Sequence, residues 1–196
     1  MSRFKPLRVA VTGGIGSGKS AALNLLRKMG CRVYSADKIY RKLLLTDRML
    51  RDEIRAVFGN AVFYSNGRLN RGRLAPVIFS DPVSRKKLNA IAHPRIERII
   101  SEQIRKGRGH VFVEVPLLYE EKLENNYDRV LLISASEDIR IKRLLKRGLS
   151  KSMINKRISS QLPDKIKKSL ADKIIDNNGN RINLKNSLES YLLELK

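Results

Sequence analysis

Cysteines and long apolar runs are scarce in this sequence of 196 residues. The single cysteine, Cys31, excludes an internal disulfide and a zinc site built from thiolates, so we expect a reducing, cytoplasmic environment. Near the amino terminus, three basic residues precede only three apolar residues at 9–11, which is too short for the core of a signal peptide. No stretch approaches the ~20 apolar residues of a membrane span, so no membrane partner is expected.

Acidic and aromatic residues are also few. The chain has 41 Lys and Arg against 19 Asp and Glu, a formal charge of +22, which predicts an anionic partner such as a nucleotide, a nucleic acid or an acidic lipid. Only 6% of the residues are aromatic, there is no Trp, and no cysteine-rich finger or RNP-type motif is present, so no specific nucleic-acid partner is expected. The length and a hydrophobic fraction of 42% predict one folded core domain with room for an insertion.

The first 35 residues have the pattern of a parallel α/β unit. An apolar, β-branched run at 7–11 predicts a buried strand that ends in a glycine-rich loop. Residues 20–29 have helical spacing and are followed by Gly30, a residue that commonly ends a helix, and 31–34 predict a second strand. Strand, loop, helix and strand within about 30 residues are typical of a parallel sheet.

The remainder of the chain alternates between helical and strand patterns. Residues 38–107 predict successive helices with no convincing strand, so they form a helical insertion. Strand composition returns at 110–115, 129–133 and 173–176, and 184–195 predict a closing helix. Residues 140–168 contain eleven Lys and Arg and one acid in amphipathic helical periodicity.

The loop after the first strand contains the strongest motif. Residues 13–20, GGIGSGKS, match the G-x-x-x-x-G-K-[ST] phosphate loop, or P-loop. Glycines allow backbone N–H groups to surround phosphates, and the dipole of the following helix favours an anion. Lys19 is expected to reach the β- and γ-phosphates of ATP, and the Ser20 hydroxyl to bind Mg²⁺. The position between a strand and a helix argues against a chance glycine-rich turn.

The acceptor of the phosphate is not defined by that motif. Asp37 follows the second predicted strand, at the carboxyl edge where open parallel sheets bind ligands. Its carboxylate could take the proton of a hydroxyl that attacks the γ-phosphate. It could equally be the N-cap of a helix that begins at Lys38.

Three further positions have two interpretations each. His93, before Pro94, is a packed residue or a site residue, and Pro94 could start or kink a helix. Glu114, near the end of the third strand, is an acid beside Mg²⁺ or an ordinary polar residue. Arg143 and Arg147, at i and i+4 of a predicted helix, could grip phosphates or lie on a solvated face.

The sequence resembles the dephospho-CoA kinases, which phosphorylate the ribose 3′-hydroxyl of dephospho-CoA. The resemblance covers nearly the whole chain. It rests on residues 12–20, Ala36-Asp37, Leu88-Asn89-Ala90, His93-Pro94, Ile96, Val115-Pro116-Leu117-Leu118, Glu120, Arg143, Arg147, Gln161, Lys165, Ala171-Asp172, Ile175-Asp176-Asn177 and Gly179. Many kinases share the phosphate loop, whereas the later elements in this order are specific.

The resemblance implies an α/β fold: a P-loop kinase-like parallel sheet core with an inserted helical substrate domain and a helical lid. The implied boundaries are 1–37, 108–139 and 171–196 for the core, 38–107 for the substrate domain and 140–170 for the basic lid. Its substrates would be ATP and dephospho-CoA with Mg²⁺, and the oligomeric state is not predicted.

The resemblance also assigns roles to residues. Catalytic roles fall to Asp37, Lys19, Arg143 and Arg147. The ATP-binding positions are Gly14, Gly16, Ser17, Gly18, Lys19, Ser20 and Ala21. Asp37 and His93 bind the acceptor, and Ser20 binds the metal.

This chain departs from the family pattern at three positions. Ser35 replaces an acid two residues before Asp37, which puts any metal role of that acid in doubt. Ala21 replaces a frequent Thr, with little expected effect. Gly148 directly follows Arg147, where an acid commonly intervenes, so the lid turn is expected to be one residue shorter. A kinase of another small metabolite and a nucleic-acid-binding NTPase remain alternative hypotheses.

Overall fold

A computed structural model describes residues 5–195, apart from the side chain of Phe79; residues 1–4 and 196, assigned to the core above, lie outside it. In chain order the main elements are β1 (Arg8–Thr12), α1 (Lys19–Lys28), β2 (Arg32–Ser35), α2 (Ala36–Thr46), α3 (Arg48–Phe58), α4 (Arg71–Ser80), α5 (Pro82–Arg105), β3 (Val111–Glu114), β4 (Arg129–Ser134), α6 (Glu137–Leu145), α7 (Lys151–Ser159), α8 (Asp164–Leu170), β5 (Lys173–Asp176) and α9 (Arg181–Glu194). Short 3₁₀ turns lie at Asn60–Val62 and Glu124–Asn126. The chain divides into two compact units, Met1–Ser35 with Lys106–Lys196 and Ala36–Arg105.

The first unit is built on a parallel sheet with the strand order β2-β3-β1-β4-β5. The predicted parallel sheet is therefore confirmed, with strand bounds within about two residues. Residues Val9, Ala10 and Val11 of the central strand are completely buried, as expected for a parallel strand covered on both faces. Leu26 of α1 and Leu188 of α9 pack in the same core cluster, so these two helices cover part of the sheet.

Helix ends in this unit follow local capping chemistry. Gly30, at φ 82°, follows α1, and the N–H of Cys31 donates to the carbonyl of Leu26, as in a glycine C-cap. The last helix begins at Arg181, three residues before the predicted start. The Asn180 side chain accepts hydrogen bonds from the N–H groups of Ile182 and Asn183, which satisfies the first turn.

The second unit consists of α2 to α5 around buried Leu50, Ile54 and Ile100. Within its described residues the only strand-like pairing is the isolated bridge between Phe63 and Leu69. Pro94 neither starts nor ends a helix, because α5 continues through it from Pro82 to Arg105. Each unit of the described chain lacks a helix long and apolar enough to span a membrane.

Arg95 of α5 forms ion pairs with two acidic residues of this helical unit. Its guanidinium lies 3.3 Å from the carboxylate of Asp47 and 2.6 Å from that of Glu53. Asp47 also accepts from the N–H of Leu50 as the N-cap of α3, at 2.9 Å. The two carboxylates raise the pKa of Arg95, with the hydrogen bond to Glu53 as the largest cause. The ion pairs therefore join α5 to the start of α3.

Candidate active site

The phosphate loop connects β1 to α1 and requires glycine at positions where distant parts of the chain approach it closely. Gly13 has φ 148°, and a Cβ there would collide with the backbone carbonyl of Ile133 in β4. Gly18 has φ 99°, and a Cβ there would collide with the side-chain amide of Asn177. Both positions combine a positive φ with close packing, so only glycine fits. The sequence motif is thus explained by the tertiary contacts of the loop.

Lys19, the first residue of α1, curls back onto the loop. Its Nζ donates to the carbonyl oxygens of Gly13 and, at 3.1 Å, of Gly14. Burial lowers the pKa of Lys19 from 10.5 to about 8, and the negative charge of Glu114 opposes that shift. Glu114 is the last residue of β3 and pairs with Val11 in the register of the sheet. The negative charge of Glu114 therefore acts on Lys19, whereas its predicted place beside Mg²⁺ stays a prediction.

Ile15, at the tip of the loop, is held at both of its backbone groups. Its N–H donates to Gln161 Oε1 at 2.8 Å, and its carbonyl accepts from Arg140 Nε at 2.8 Å. Arg140 is only 5% exposed and forms a 3.1 Å ion pair with Asp164, the first residue of α8. The partners of Ile15 lie more than 120 residues away in sequence. Distant segments thus fix the shape of the phosphate loop.

A second pair of side chains holds the end of the loop. Asn177 Nδ2 donates to the carbonyl of Ser17 at 2.7 Å. The Arg143 guanidinium donates to the carbonyls of Ser17 at 3.3 Å and Asn177 at 2.8 Å. The Ser17 hydroxyl is buried and has no hydrogen-bond partner among the described residues. An orphaned donor in a loop of this kind fits a bound phosphate oxygen.

A fully buried lysine supports the same region. Lys167 of α8 lies 2.7 Å from Glu120 Oε1, which also accepts from the N–H of Leu162 at 2.9 Å. Leu162 is adjacent to Gln161, the residue that binds Ile15, so the ion pair anchors the segment that holds the loop. The positive charge of Lys167 is also one of the causes that lower the pKa of Lys19.

A cavity of about 490 Å³ opens beside the phosphate loop, and we call it the loop-side cavity. Its basic lining residues are Arg143, Lys146, Arg147 and Arg181, and none of its lining residues is acidic. Its other walls come from Gly18, Ala21, Asn24, Asn177, Gly179, Asn180 and Leu184. The site therefore combines a phosphate cradle with an adjoining positively charged cavity.

The structure corrects the predicted arrangement of Arg143 and Arg147. Helix α6 ends at Leu145, so Arg147 lies in the turn after the helix and not on one helical face with Arg143. Gly148, at φ 80°, closes that turn by donating to the carbonyl of Leu145 at 2.9 Å. A glycine at positive φ ends the helix earlier than helical periodicity suggested. Arg147 is exposed, whereas Arg143 is half-buried.

Asp37 belongs to the helical unit. It lies in the first turn of α2, which begins at Ala36, so it is not the N-cap of a helix starting at Lys38. Among the described residues no hydrogen bond holds its carboxylate, and Asp37 is exposed at one end of a cavity of about 300 Å³. His93 is half-buried in the middle of α5 and has interactions within the protein.

Several residues of the site have no role in the sequence analysis. Arg140 was only the first residue of a basic stretch, and Lys167 was one of its eleven cations. Gln161, Asn177 and Glu120 were part of the family resemblance, but nothing indicated what they contact. A lysine that pairs with a distant carboxylate, or an asparagine that binds a distant backbone group, has no local sequence pattern, so only the fold reveals these roles.

The residues present fit Mg²⁺ bound together with ATP. No cluster of three or more metal-binding side chains is found in residues 5–195. Ser20, exposed at the start of α1, and the carboxylate of Glu114 supply oxygen donors near the loop. Mg²⁺ prefers such a site, with one or two protein oxygens, phosphate oxygens and water.

A parallel sheet with a braced phosphate loop between β1 and α1 defines a P-loop kinase fold. Residues 7–183 match the family model described as dephospho-CoA kinase. A dephospho-CoA kinase of Staphylococcus aureus (strain bovine RF122 / ET3-1) is 37% identical over 194 residues, covering 96% of this chain and 93% of the relative. The chain therefore belongs to the dephospho-CoA kinase family, whose members are ATP-dependent kinases of coenzyme A biosynthesis.

Two solved structures are similar over nearly the full length. A crystal structure from Thermus thermophilus has a TM-score of 0.84 at 34% identity and covers 97% of this chain and 98% of its own. A dephospho-CoA kinase from Campylobacter jejuni has a TM-score of 0.67 at 27% identity, with 96% of each chain covered. The similarity thus extends through both units of the chain.

Proposed function

We propose that this chain transfers the γ-phosphoryl group of ATP to the ribose 3′-hydroxyl of dephospho-CoA, giving coenzyme A and ADP. The observation that carries the proposal is the structure of the phosphate loop. It combines tightly packed glycines, the amino group of Lys19 and the Ser17 hydroxyl, which is buried without a hydrogen-bond partner among the described residues. Family membership supplies the acceptor. ATP would place its phosphates against the loop residues Gly14, Gly16, Ser17, Gly18, Lys19, Ser20 and Ala21 and its nucleoside in the loop-side cavity.

Two of the four catalytic side chains, Asp37 and Lys19, have different tasks. Asp37 orients the acceptor hydroxyl and accepts its proton as the bond to phosphorus forms. Lys19 leaves the loop carbonyls and stabilises the negative charge on the transferring phosphoryl group. His93 is proposed to contact the acceptor. Positioning and electrostatic stabilisation provide most of the rate, because phosphoryl transfer needs little covalent chemistry from the protein.

The metal and the basic segment complete the proposal. The Ser20 hydroxyl would hold Mg²⁺, with the Glu114 carboxylate as a second oxygen donor near the loop, and the bound ion would supply positive charge that neutralises the phosphates of ATP. Residues 140–170 would act as the lid, in which Arg143 and Arg147 approach the phosphates and exclude water, a competing acceptor. Residues 38–107 would bind the acceptor, and residues 1–37, 108–139 and 171–196 would form the nucleotide-binding core. A cytoplasmic location, where ATP is available and the thiol stays reduced, belongs to the same proposal.

The decisive experiment incubates the purified protein with ATP, Mg²⁺ and dephospho-CoA and measures coenzyme A and ADP by chromatography. We expect equal amounts of both products, and none after Mg²⁺ is removed with a chelator. A panel of nucleoside monophosphates and small alcohols tests the alternative of another small-metabolite kinase. A faster reaction with any of these acceptors would contradict the proposal.

A further inference from the structure

A closed circle of contacts surrounds Ile15, the residue at the tip of the phosphate loop. Its N–H donates to Gln161 Oε1 at 2.8 Å, and its carbonyl accepts from Arg140 Nε at 2.8 Å. Arg140 also forms the 3.1 Å ion pair with Asp164, which follows Gln161 by three residues. The peptide 161–164 therefore joins the two contacts of Ile15. We call the set of Ile15, Arg140 and 161–164 the loop ring.

The peptide 161–164 is itself held from two directions. The N–H of Leu162 donates to Glu120 Oε1 at 2.9 Å, and the buried Lys167 pairs with the same oxygen at 2.7 Å. Pro163 has a φ of −54°, which its side-chain ring fixes, and its carbonyl accepts from the N–H of Lys167 at 3.2 Å. This peptide is therefore a rigid support for the two side chains that close the loop ring.

Arg140 also packs against the two glycines on either side of Ile15. A Cβ at Gly14 would lie 2.6 Å from Arg140 Cζ, and a Cβ at Gly16 would lie 2.9 Å from the Arg140 carbonyl oxygen. The Arg140 side chain has little room to move aside, because it is 5% exposed and is held by Asp164. The loop ring therefore contacts the phosphate loop at its tip and at both neighbours of the tip.

The composition of the phosphate loop explains why such a support matters. Four of the six residues at 13–18 are glycine, the residue that loses most conformational freedom when it becomes ordered. If the loop were free, a bound phosphate would have to order it, and that cost would reduce the affinity. Both backbone groups of Ile15 are already occupied by the loop ring. Their contribution is therefore to the shape of the loop and not to direct contact with phosphate.

We propose that Gln161 and Asp164 are positioning residues for ATP, which close the loop ring and so hold the phosphate loop in its phosphate-binding shape before ATP binds. Gln161 acts through Ile15, and Asp164 acts through Arg140. The proposal rests on the function proposed above only because it takes ATP as the ligand of the loop. It does not depend on the identity of the acceptor.

The first test measures the Kd for ATP of Gln161→Met by calorimetric titration. Met keeps the length of the side chain but removes the acceptor of the Ile15 N–H, so we expect the Kd to rise about 5- to 10-fold. The kcat for phosphoryl transfer at saturating ATP should change less than about threefold, because bound ATP orders the loop again. Asn155→Leu removes an exposed amide of α7 outside the loop ring and should keep the wild-type Kd.

The second test shows whether these contacts act as a ring or separately. Asp164→Ala opens the ring at its ion pair, and Gln161→Met opens it at its hydrogen bond. We expect the double variant to raise the Kd for ATP by less than the product of the two single effects, because a ring that is already open loses little when it is opened again. Asp164→Asn takes the place of Asp164→Ala if circular dichroism shows that the latter is unfolded.

Three outcomes would overturn the proposal. The first is a purely structural pattern, in which Gln161→Met has a lower melting temperature and an unchanged Kd for ATP. The second is a double variant whose single effects on the Kd multiply, as two independent contacts would. The third is a wild-type protein that does not bind ATP. If the wild type binds ATP but forms no coenzyme A, the proposed function fails, and the same titrations still decide about the loop ring.

Discussion

The arginines of α6 that contact the phosphate loop and the arginines that line the cavity at Asp37 differ in what they bind within residues 5–195. Arg140 and Arg143 donate to backbone carbonyls of the loop, and Arg140 is also paired with Asp164. Arg41 and Arg71 have no such partners among the described residues and are exposed. A positive charge near an anion site can therefore act in two ways. Arginines tied to carbonyls maintain the shape of a loop, whereas unpaired arginines are available to a ligand.

The largest effect is expected from Asp37→Asn. The amide keeps the shape of the side chain but cannot take the acceptor's proton, so kcat should fall about 10²- to 10⁴-fold. The Kd for ATP, measured by titration, should stay near the wild-type value. If the variant retains normal turnover, the exposed carboxylate of Asp37 has no chemical role.

Lys167→Met tests how strongly the first unit depends on its buried ion pair. Loss of the buried lysine leaves the Glu120 side chain, which is 15% exposed, without its ion-pair partner, which should reduce the free energy of unfolding by about 3 kcal/mol in urea titrations. Lys168→Met, on the exposed side of α8, is the control and should change it little. Stability should return in part when Glu120→Leu is added. Equal stability of the two single variants would contradict the proposed support of the loop.

Lys19→Met should lower phosphoryl transfer about 10²- to 10³-fold, because it removes an electrostatic group that acts on the transferring phosphate. The circular dichroism spectrum should remain unchanged. Lys28→Met removes a lysine from the exposed end of the same helix and should retain full activity. A fully active Lys19→Met variant would exclude the phosphate loop from the reaction.

Arg143 and Arg147 should differ although both line the loop-side cavity. Arg143→Ala removes donors to Ser17 and Asn177 and should lower kcat/KM for ATP about 10- to 100-fold. Arg147→Ala, at an exposed turn residue, should have a smaller effect. The double variant should raise the rate of ATP hydrolysis relative to that of phosphoryl transfer to the acceptor, as expected for a defective lid.

The same double variant tests the nucleic-acid hypothesis. That hypothesis would be favoured if the variant lost affinity for DNA and if the slope of log affinity against log salt concentration fell by about two.

The smallest effect is a pH dependence of ATP binding. In the free protein Lys19 loses its proton near pH 8, below its usual 10.5, so affinity should weaken as pH rises through 8, approaching tenfold per unit. Lys19→Arg, which stays charged, should lack this inflection. The stability of the folded protein depends on pH in the opposite direction and rises as pH rises. Between pH 8 and 10.5 the folded state binds fewer protons than the unfolded state, so the penalty of burying Lys19 decreases as pH rises.

The parallel sheet and the position of the phosphate loop follow from the amino-acid sequence alone. These features depend on local patterns: apolar β-branched runs, a fixed spacing of glycines before Lys19, and a glycine after α1. The bounds of the strands were predicted closely for the same reason. The prediction that Arg147 shares a helical face with Arg143 was wrong, because α6 ends at Leu145, before the turn closed by Gly148 at positive φ.

The contacts of the basic residues, by contrast, depend on the folded structure. The sequence has 41 Lys and Arg, and nothing in their spacing separates Arg140, held against Ile15, from Arg71, exposed in a groove. Their difference comes from contacts with residues far away in the chain, such as Gln161 with Ile15 and Lys167 with Glu120. Burial and pairing of a charge are properties of the folded surroundings, so they are fixed only when the two units form.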